Sequence, residues 1–177
     1  MAVARQPRTY SDALALAAST GTTPSTQAVA NYRSKYGVAI NLEQQIAADL
    51  GLFVKGGWSQ GGVEEDDFTD INASVAVGLS LAGTRWGRPG DTVGLAGVVN
   101  EISAIGSQYL AAGGLGGIIG DGKLIKSGPE TILETYYSFA AFSFAKVTGD
   151  YQFVNNPAYN QQRGPVSVFA LRLHAEF

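Results

Sequence analysis

The chain contains no cysteine, one histidine and one methionine among its 177 residues. Without cysteine there are no disulfides and no thiolate metal sites. A lone histidine is a poor foundation for a metal centre. Charge is also scarce: 15% of residues are charged, where about a quarter is usual. The net charge of −3 offers no basic footprint for nucleic acid. No apolar run reaches the roughly 18 residues of a membrane-spanning helix. The opening MAVARQPRTY lacks the apolar stretch of a secretory signal. What the chain does have is 23 glycines and a hydrophobic content of 45%. That balance admits a soluble glycine-rich β protein or a membrane β-barrel.

Residues 1–35 read as a loop segment with short helices. Ser11 to Ala18 suits one helix, with Ser11 or Asp12 as its cap. Pro24 is placed to open a second, running to about Arg33. STGTTPST between them is a cluster of helix breakers.

From Tyr36 onward the period is two. YGVAINLEQQI puts Val38, Ile40, Leu42 and Ile46 on one face and Asn41, Glu43 and Gln45 on the other. GLFVKGGW sets Leu52, Val54 and Trp58 against Phe53, Lys55 and Gly57. In TDINASVAVGLSLAG, Ile71, Ala73, Val75, Val77, Leu79 and Leu81 alternate with polar or small residues. The same alternation runs through DTVGLAGVVN, TILETYYSF, VTGDYQFV and VSVFALRLHAEF. Period two at this density predicts seven strands, each with one polar face. Several reach about ten residues, longer than the five or six of an average soluble strand and close to the roughly 9–11 of a tilted membrane strand.

The connections alternate in length as well. Ala47–Leu50, Thr84–Gly90 and Ala140–Phe144 are short, whereas Gln60–Asp67, Glu101–Gly128 and Asn155–Gly164 are long. Short turns on one side and long loops on the other is the outer-membrane barrel arrangement. Alternation alone also suits a soluble sandwich. Strand length, loop asymmetry and the aromatics Tyr36, Trp58, Tyr137, Phe139, Phe153, Phe169 and Phe177, placed for interfacial girdles, favour the barrel. The expectation is an all-β, antiparallel transmembrane β-barrel over residues 36–177. It places Val75, Val77, Leu79, Leu81, Leu171 and Leu173 outward, and Arg172, His174 and Glu176 inward.

Four features invite a chemical reading. Gly117, Gly122 and Lys123 have the spacing of a phosphate-binding loop, but Leu124 stands where Ser or Thr would hold Mg²⁺, and Pro129 and a strand follow instead of a helix. A flexible external loop accounts for these glycines better. His174 has no nucleophile context around it and reads as a polar residue of the last strand. The acidic run Glu64, Glu65, Asp66, Asp67 and Asp70 suits a solvated loop, with Ca²⁺ or bridging to lipopolysaccharide through divalent ions as the alternative. Arg85, Trp86 and Arg88 suit a membrane-edge anchor, or an Arg–Trp cation–π pair. No catalytic set, metal site or cofactor site is expected.

Four longer strings go beyond a generic barrel: RSKYGVAINLEQQIAADLGLFVKGGW, GTRWGRPGDTVGLAGVVNEIS, YLAAGGLGGIIGDGKL with GPETILETYYS, and DYQFVNNPAYNQQRGPVSVFALRLHAEF. In this order, over roughly Tyr10 to Phe177, they resemble the C-terminal part of the carbohydrate-selective porins, the OprB-like family. The resemblance implies passive diffusion of sugars through the outer membrane of a Gram-negative bacterium, with no chemical step. Members of that family are longer, with a signal peptide and about sixteen strands. The expectation is therefore the C-terminal half of a larger barrel, with seven or eight strands present. Its partners would be outer-membrane lipid, lipopolysaccharide, sugars in transit and the missing N-terminal half. A barrel fragment that pairs with another chain but conducts nothing is the alternative, and an outer-membrane hydrolase a weaker one. Sugar channels work through weak, repeated contacts, with aromatic faces under pyranose rings and polar groups replacing water. The polar-register candidates for such contacts are Asn41, Glu43, Lys55, Glu134, Tyr136, Asp150, Gln152, Arg172, His174 and Glu176. Glu134, Asp150 and Arg172 lie on adjacent strands and are placed to pair.

Overall fold

In the computed structural model, which describes residues 9–29, 34–64, 70–117, 119 and 123–176, the alternating segments form one antiparallel sheet. Its strands are β1 (Gly37–Ala47), β2 (Leu50–Ser59), β3 (Ala73–Ala82), β4 (Thr92–Glu101), β5 (Glu130–Phe142), β6 (Ala145–Asn155) and β7 (Val166–Ala175). They lie in the order β1-β2-β3-β4-β5-β6-β7, each paired with its neighbours in sequence. Lengths run from 10 to 13 residues, matching a tilted membrane strand. Among the described residues, β1 pairs with β2 alone and β7 with β6 alone.

The register sorts the side chains into two faces, because directly opposed residues point the same way. One face carries the rows Leu42–Val54–Val77 and Leu52–Leu79–Leu95, joined by Leu133–Phe153 and Val147–Leu173. Val75, Val77 and Leu79 are exposed on it, and Phe169, Leu171 and Leu173 are 79%, 72% and 78% exposed. A surface with this many large exposed apolar side chains suits a bilayer better than water. Leu81 shares the register through its partner Val93. Arg172 and His174 point the opposite way, in register with Thr148 and Lys146. The expected separation of these two sets onto opposite faces therefore holds for the strands. Phe177 lies outside the described residues.

The two ends of the sheet differ. At one end the strands turn through Ala48–Asp49, through a 3-10 turn at Gly83–Trp86, and through Ser143–Phe144. At the other end, the described parts of the long connections, including helix α2 (Ala104–Ala111), meet helix α1 (Tyr10–Thr20). These pieces build a small core of Tyr10, Ala13, Tyr109, Leu110, Leu124 and Tyr159. The rings of Tyr10 and Tyr109 lie 4.9 Å apart at its centre, and the Tyr109 hydroxyl donates to the Leu115 carbonyl.

Several details differ from the sequence expectation. Helix α1 is capped by Thr9, not Ser11 or Asp12: the Thr9 hydroxyl accepts from the Asp12 amide and donates to the Asp12 carboxylate. Asp12 is the third helical residue, so the Thr9 hydroxyl satisfies an orphan amide of the first turn, two to three residues earlier than the apolar pattern suggested. After Pro24 only a 3-10 turn forms, at Thr26–Ala28; residues 30–33, including Arg33, lie outside the described set. Strand β3 begins at Ala73, and Ile71 packs against the loop core instead of joining the outward row. Helix α2 was not expected. Its signals are Ser103, whose hydroxyl accepts from the Gly106 amide, and Gly113 just past its end at φ 94°. No helix among the described residues is long and apolar enough to cross a membrane, which says nothing of strands.

Candidate functional site

The polar face is where the candidate residues meet. Asn41 stands opposite Lys55, and Glu43 opposite Phe53, on β1 and β2. Glu134 stands opposite Gln152, and Tyr136 opposite Asp150, on β5 and β6. Arg172 and His174 extend this second group onto β7. Glu176 lies just past the strand, 3.0 Å from the His174 ring. The candidates thus form two polar clusters, one at each flank of the sheet. Between them, β3 and β4 present mostly small residues to this face, among them Ala76, Gly78, Ser80, Gly94 and Ala96.

In the β5–β7 cluster, Arg172 donates to the Asp150 carboxylate at 3.1 Å, and the Gln152 amide donates to Glu134 at 3.2 Å. The expected cross-strand pairing therefore forms between Arg172 and Asp150, while Glu134 takes an amide partner. Ser138 accepts from Thr148 one row nearer the short turns. A hollow of about 630 Å³ opens over this group, bounded by Thr92, Glu134, Tyr136, Arg172 and His174. A second hollow, of about 440 Å³, lies over β1 and β2 between Glu43, Gln45, Phe53, Lys55 and Ser80.

Toward the long loops the same face carries a hydrogen-bonded row. The Ser74 hydroxyl donates to Asn100, whose amide donates to Glu130 at 3.2 Å. The other Glu130 oxygen accepts from the Ala158 amide at 2.9 Å. Ala158 and its neighbours Asn156 and Tyr159 all hold positive φ, of 55°, 51° and 61°. Left-handed backbone at non-glycine residues costs about 1 kcal/mol or more each, and Glu130 is one of the groups that holds it. The Gly128 amide, donating to the Tyr159 carbonyl, is another.

At the short-turn end, buried Asp91 accepts from Arg88 at 2.5 Å, from the Tyr137 hydroxyl at 2.5 Å and from the Ala140 amide at 2.9 Å. The Arg88 guanidinium first, then the Tyr137 hydroxyl and the Ala140 N–H, hold the Asp91 carboxyl down to about 2 despite its burial. Arg88 also stacks over the Phe139 ring at 4.3 Å. Arg85 forks onto Asp49 across two turns, at 2.5 and 3.1 Å. The Arg–Trp pair weighed from sequence does not form; both arginines take carboxylates, and the Trp86 indole donates to Tyr137. A carboxylate offers an arginine two charged acceptors, which a ring face does not.

The remaining chemical readings resolve simply. Among the described residues no cluster of His, Cys, Asp and Glu is arranged to hold a metal ion. Glu65, Asp66 and Asp67 of the acidic run lie outside that set, as does Gly122 of the glycine loop. After Lys123 the chain runs through a single bridge at Ser127 into β5, with no helix to present amides to a phosphate.

Phe53 was not among the sequence candidates, although it lies in the same register as they do. Its signal was a large aromatic in the polar register, opposite a glycine of the next strand.

The model of the carbohydrate-selective porin, OprB family, matches residues 2–177. The fold is similar to a solved structure of Pseudomonas putida OprB, determined at high pH, with a TM-score of 0.72 at 20% identity. That similarity covers 91% of this chain and 39% of the solved one. A search of curated proteins finds no match.

Proposed function

This chain belongs to the carbohydrate-selective porin, OprB family, and we propose accordingly that its sheet is part of the wall of an outer-membrane channel for passive sugar diffusion. The observation that carries the reading is the division of faces. A predominantly apolar surface for lipid backs a surface of small and polar residues whose flanks bear Glu43 and Lys55 on one side and Glu134, Asp150 and Arg172 on the other. Charged and amide groups on such a wall exchange hydrogen bonds with sugar hydroxyls as water leaves. The inward candidates, Asn41, Glu43, Lys55, Glu134, Tyr136, Asp150, Gln152, Arg172, His174 and Glu176, supply these groups. Transport follows the gradient, with no catalytic step and no cofactor.

The two sheet edges set a condition. Unpaired backbone groups in lipid cost several kcal/mol each, so the outer edges of β1 and β7 need further strands in a bilayer. The wall is completed by strands beyond these seven, and the short turns face the periplasm while the long loops face outside.

The test is production of the chain in a Gram-negative host, separation of its outer-membrane assemblies by size, and reconstitution of each fraction in liposomes. Glucose-driven swelling is expected from assembled species and absent from the monomer. Assembled, membrane-inserted protein that passes no glucose would overturn the channel reading and leave a non-conducting barrel piece.

A further inference from the structure

Two aromatic side chains reach across the polar face, each with ring atoms directly over a glycine. A Cβ on Gly78 would sit 2.3 Å from Cε1 of Phe53, and one on Gly94 would sit 2.0 Å from Cε1 of Tyr136. Any side chain at either position would lift the ring from the wall. Phe53 leans from β2 over β3, and Tyr136 from β5 over β4. The rings converge from opposite sides on the adjacent pair β3–β4, above a floor of small residues. Each covers its glycine, and both glycines are buried. Each ring also borders one of the two hollows: Phe53 with Glu43 and Lys55, Tyr136 with Glu134 and Arg172. The Lys55 ammonium stands 5.6 Å from the Phe53 ring centre.

We propose that Phe53 and Tyr136 form a paired stacking subsite for pyranose rings, an inference that rests on the channel reading above. A pyranose has faces of C–H bonds and a rim of hydroxyls. A ring held against the wall over a glycine offers one apolar plate for that face, and the charges beside it meet the rim. Glu43 and Lys55 give an acceptor and a donor at one plate, and Glu134 and Arg172 give the same pair at the other. A sugar leaving one plate meets the second across the glycine floor, so no single contact has to be strong. Open-chain polyols present no such face and gain only the hydroxyl contacts.

The test compares glucose with sorbitol on the assembled outer-membrane species of the full chain, held in lipid nanodiscs. Binding is read by saturation transfer from protein to sugar protons, and the assembled species are assayed in parallel by liposome swelling. Phe53→Leu and Tyr136→Leu keep an apolar cover on the glycines but remove the plates. Each is expected to weaken glucose binding roughly three- to tenfold, the scale of one lost aromatic contact, and to leave sorbitol unchanged. Phe53→Trp, which keeps the plate, should stay within about twofold of the wild type. Phe169→Leu, on the lipid-facing surface, is the control and should alter neither ligand. Wild-type protein that passes glucose, with glucose binding unaltered in both leucine variants, would overturn the subsite alone. Wild-type protein that neither binds nor passes glucose would overturn the channel reading and the subsite with it.

Discussion

The two ends of the sheet are held by opposite kinds of interaction. At the short-turn end there are too few residues to bury a core, and cohesion comes from charge-assisted hydrogen bonds to the buried Asp91, from Arg88, Tyr137 and Ala140. At the long-loop end the chain has enough length to fold back on itself. There a miniature hydrophobic core around Tyr109 and Tyr159 does the holding, and the Ser74–Asn100–Glu130 row ties it to the strands. Connection length thus decides the chemistry. A turn of a few residues can be locked only by groups that act across single contacts, whereas a loop of tens of residues can exclude water.

The comparison breaks most visibly at Tyr109, which is 2% exposed. Tyr109→Ala removes the centre of the loop core and should cost about 3 kcal/mol or more of local stability. Amide exchange in α1 and α2 should quicken and protease should cut segment 102–129, while amides at the short turns keep their protection. Equal loss at both ends would show the ends to be one cooperative unit.

The converse change is Asp91→Asn. The Asp91 carboxyl is held below its ordinary value of 3.8, at about 2. A depressed carboxyl stabilises the fold above its ordinary value, and that stabilisation is lost as pH falls toward the folded value. Wild-type protection at the Ala140 amide should therefore decline between pH 3.8 and about 2. The variant should begin with weaker protection and show a flat profile across that window. A wild-type profile that is also flat there would remove Asp91 as the lock.

The smallest effect is expected at Arg85→Ala. The Arg85 side chain is 59% exposed, and exposed ion pairs contribute little. Exchange at both ends and the unfolding midpoint should stay at wild-type values. A clear loss would place the Asp49–Arg85 fork beside the Asp91 lock in importance.

The strands were legible in the sequence because period two is a local pattern, and Val75, Val77 and Leu79 needed no knowledge of their neighbours. The loop asymmetry was equally local. The ends were not legible, for a physical reason. Ile71 continues the strand pattern yet leaves the sheet because a loop core exists for it to join. Tyr159 reads as an ordinary loop residue until α1 and α2 are in place to bury it. The polar face was found as a register, and its ten candidates lie on it or just past its last strand. The placement of Phe53 over Gly78 escaped because the two are twenty-five residues apart and only pairing brings them together. Asp91 escaped for the same reason: its partners Tyr137 and Ala140 come from a different hairpin.

The strand order has a consequence for how such a wall is made and changed. Each strand pairs only with the strand before and after it, so every ladder closes over a connection already synthesised beside it. Topologies of this kind are assembled from local contacts, and the sheet can grow by one hairpin at a time without waiting for a distant segment. The same modularity applies over generations. A hairpin gained or lost between two neighbours leaves all other registers intact, so the width of the sheet is a quantity that duplication and deletion can adjust in whole steps.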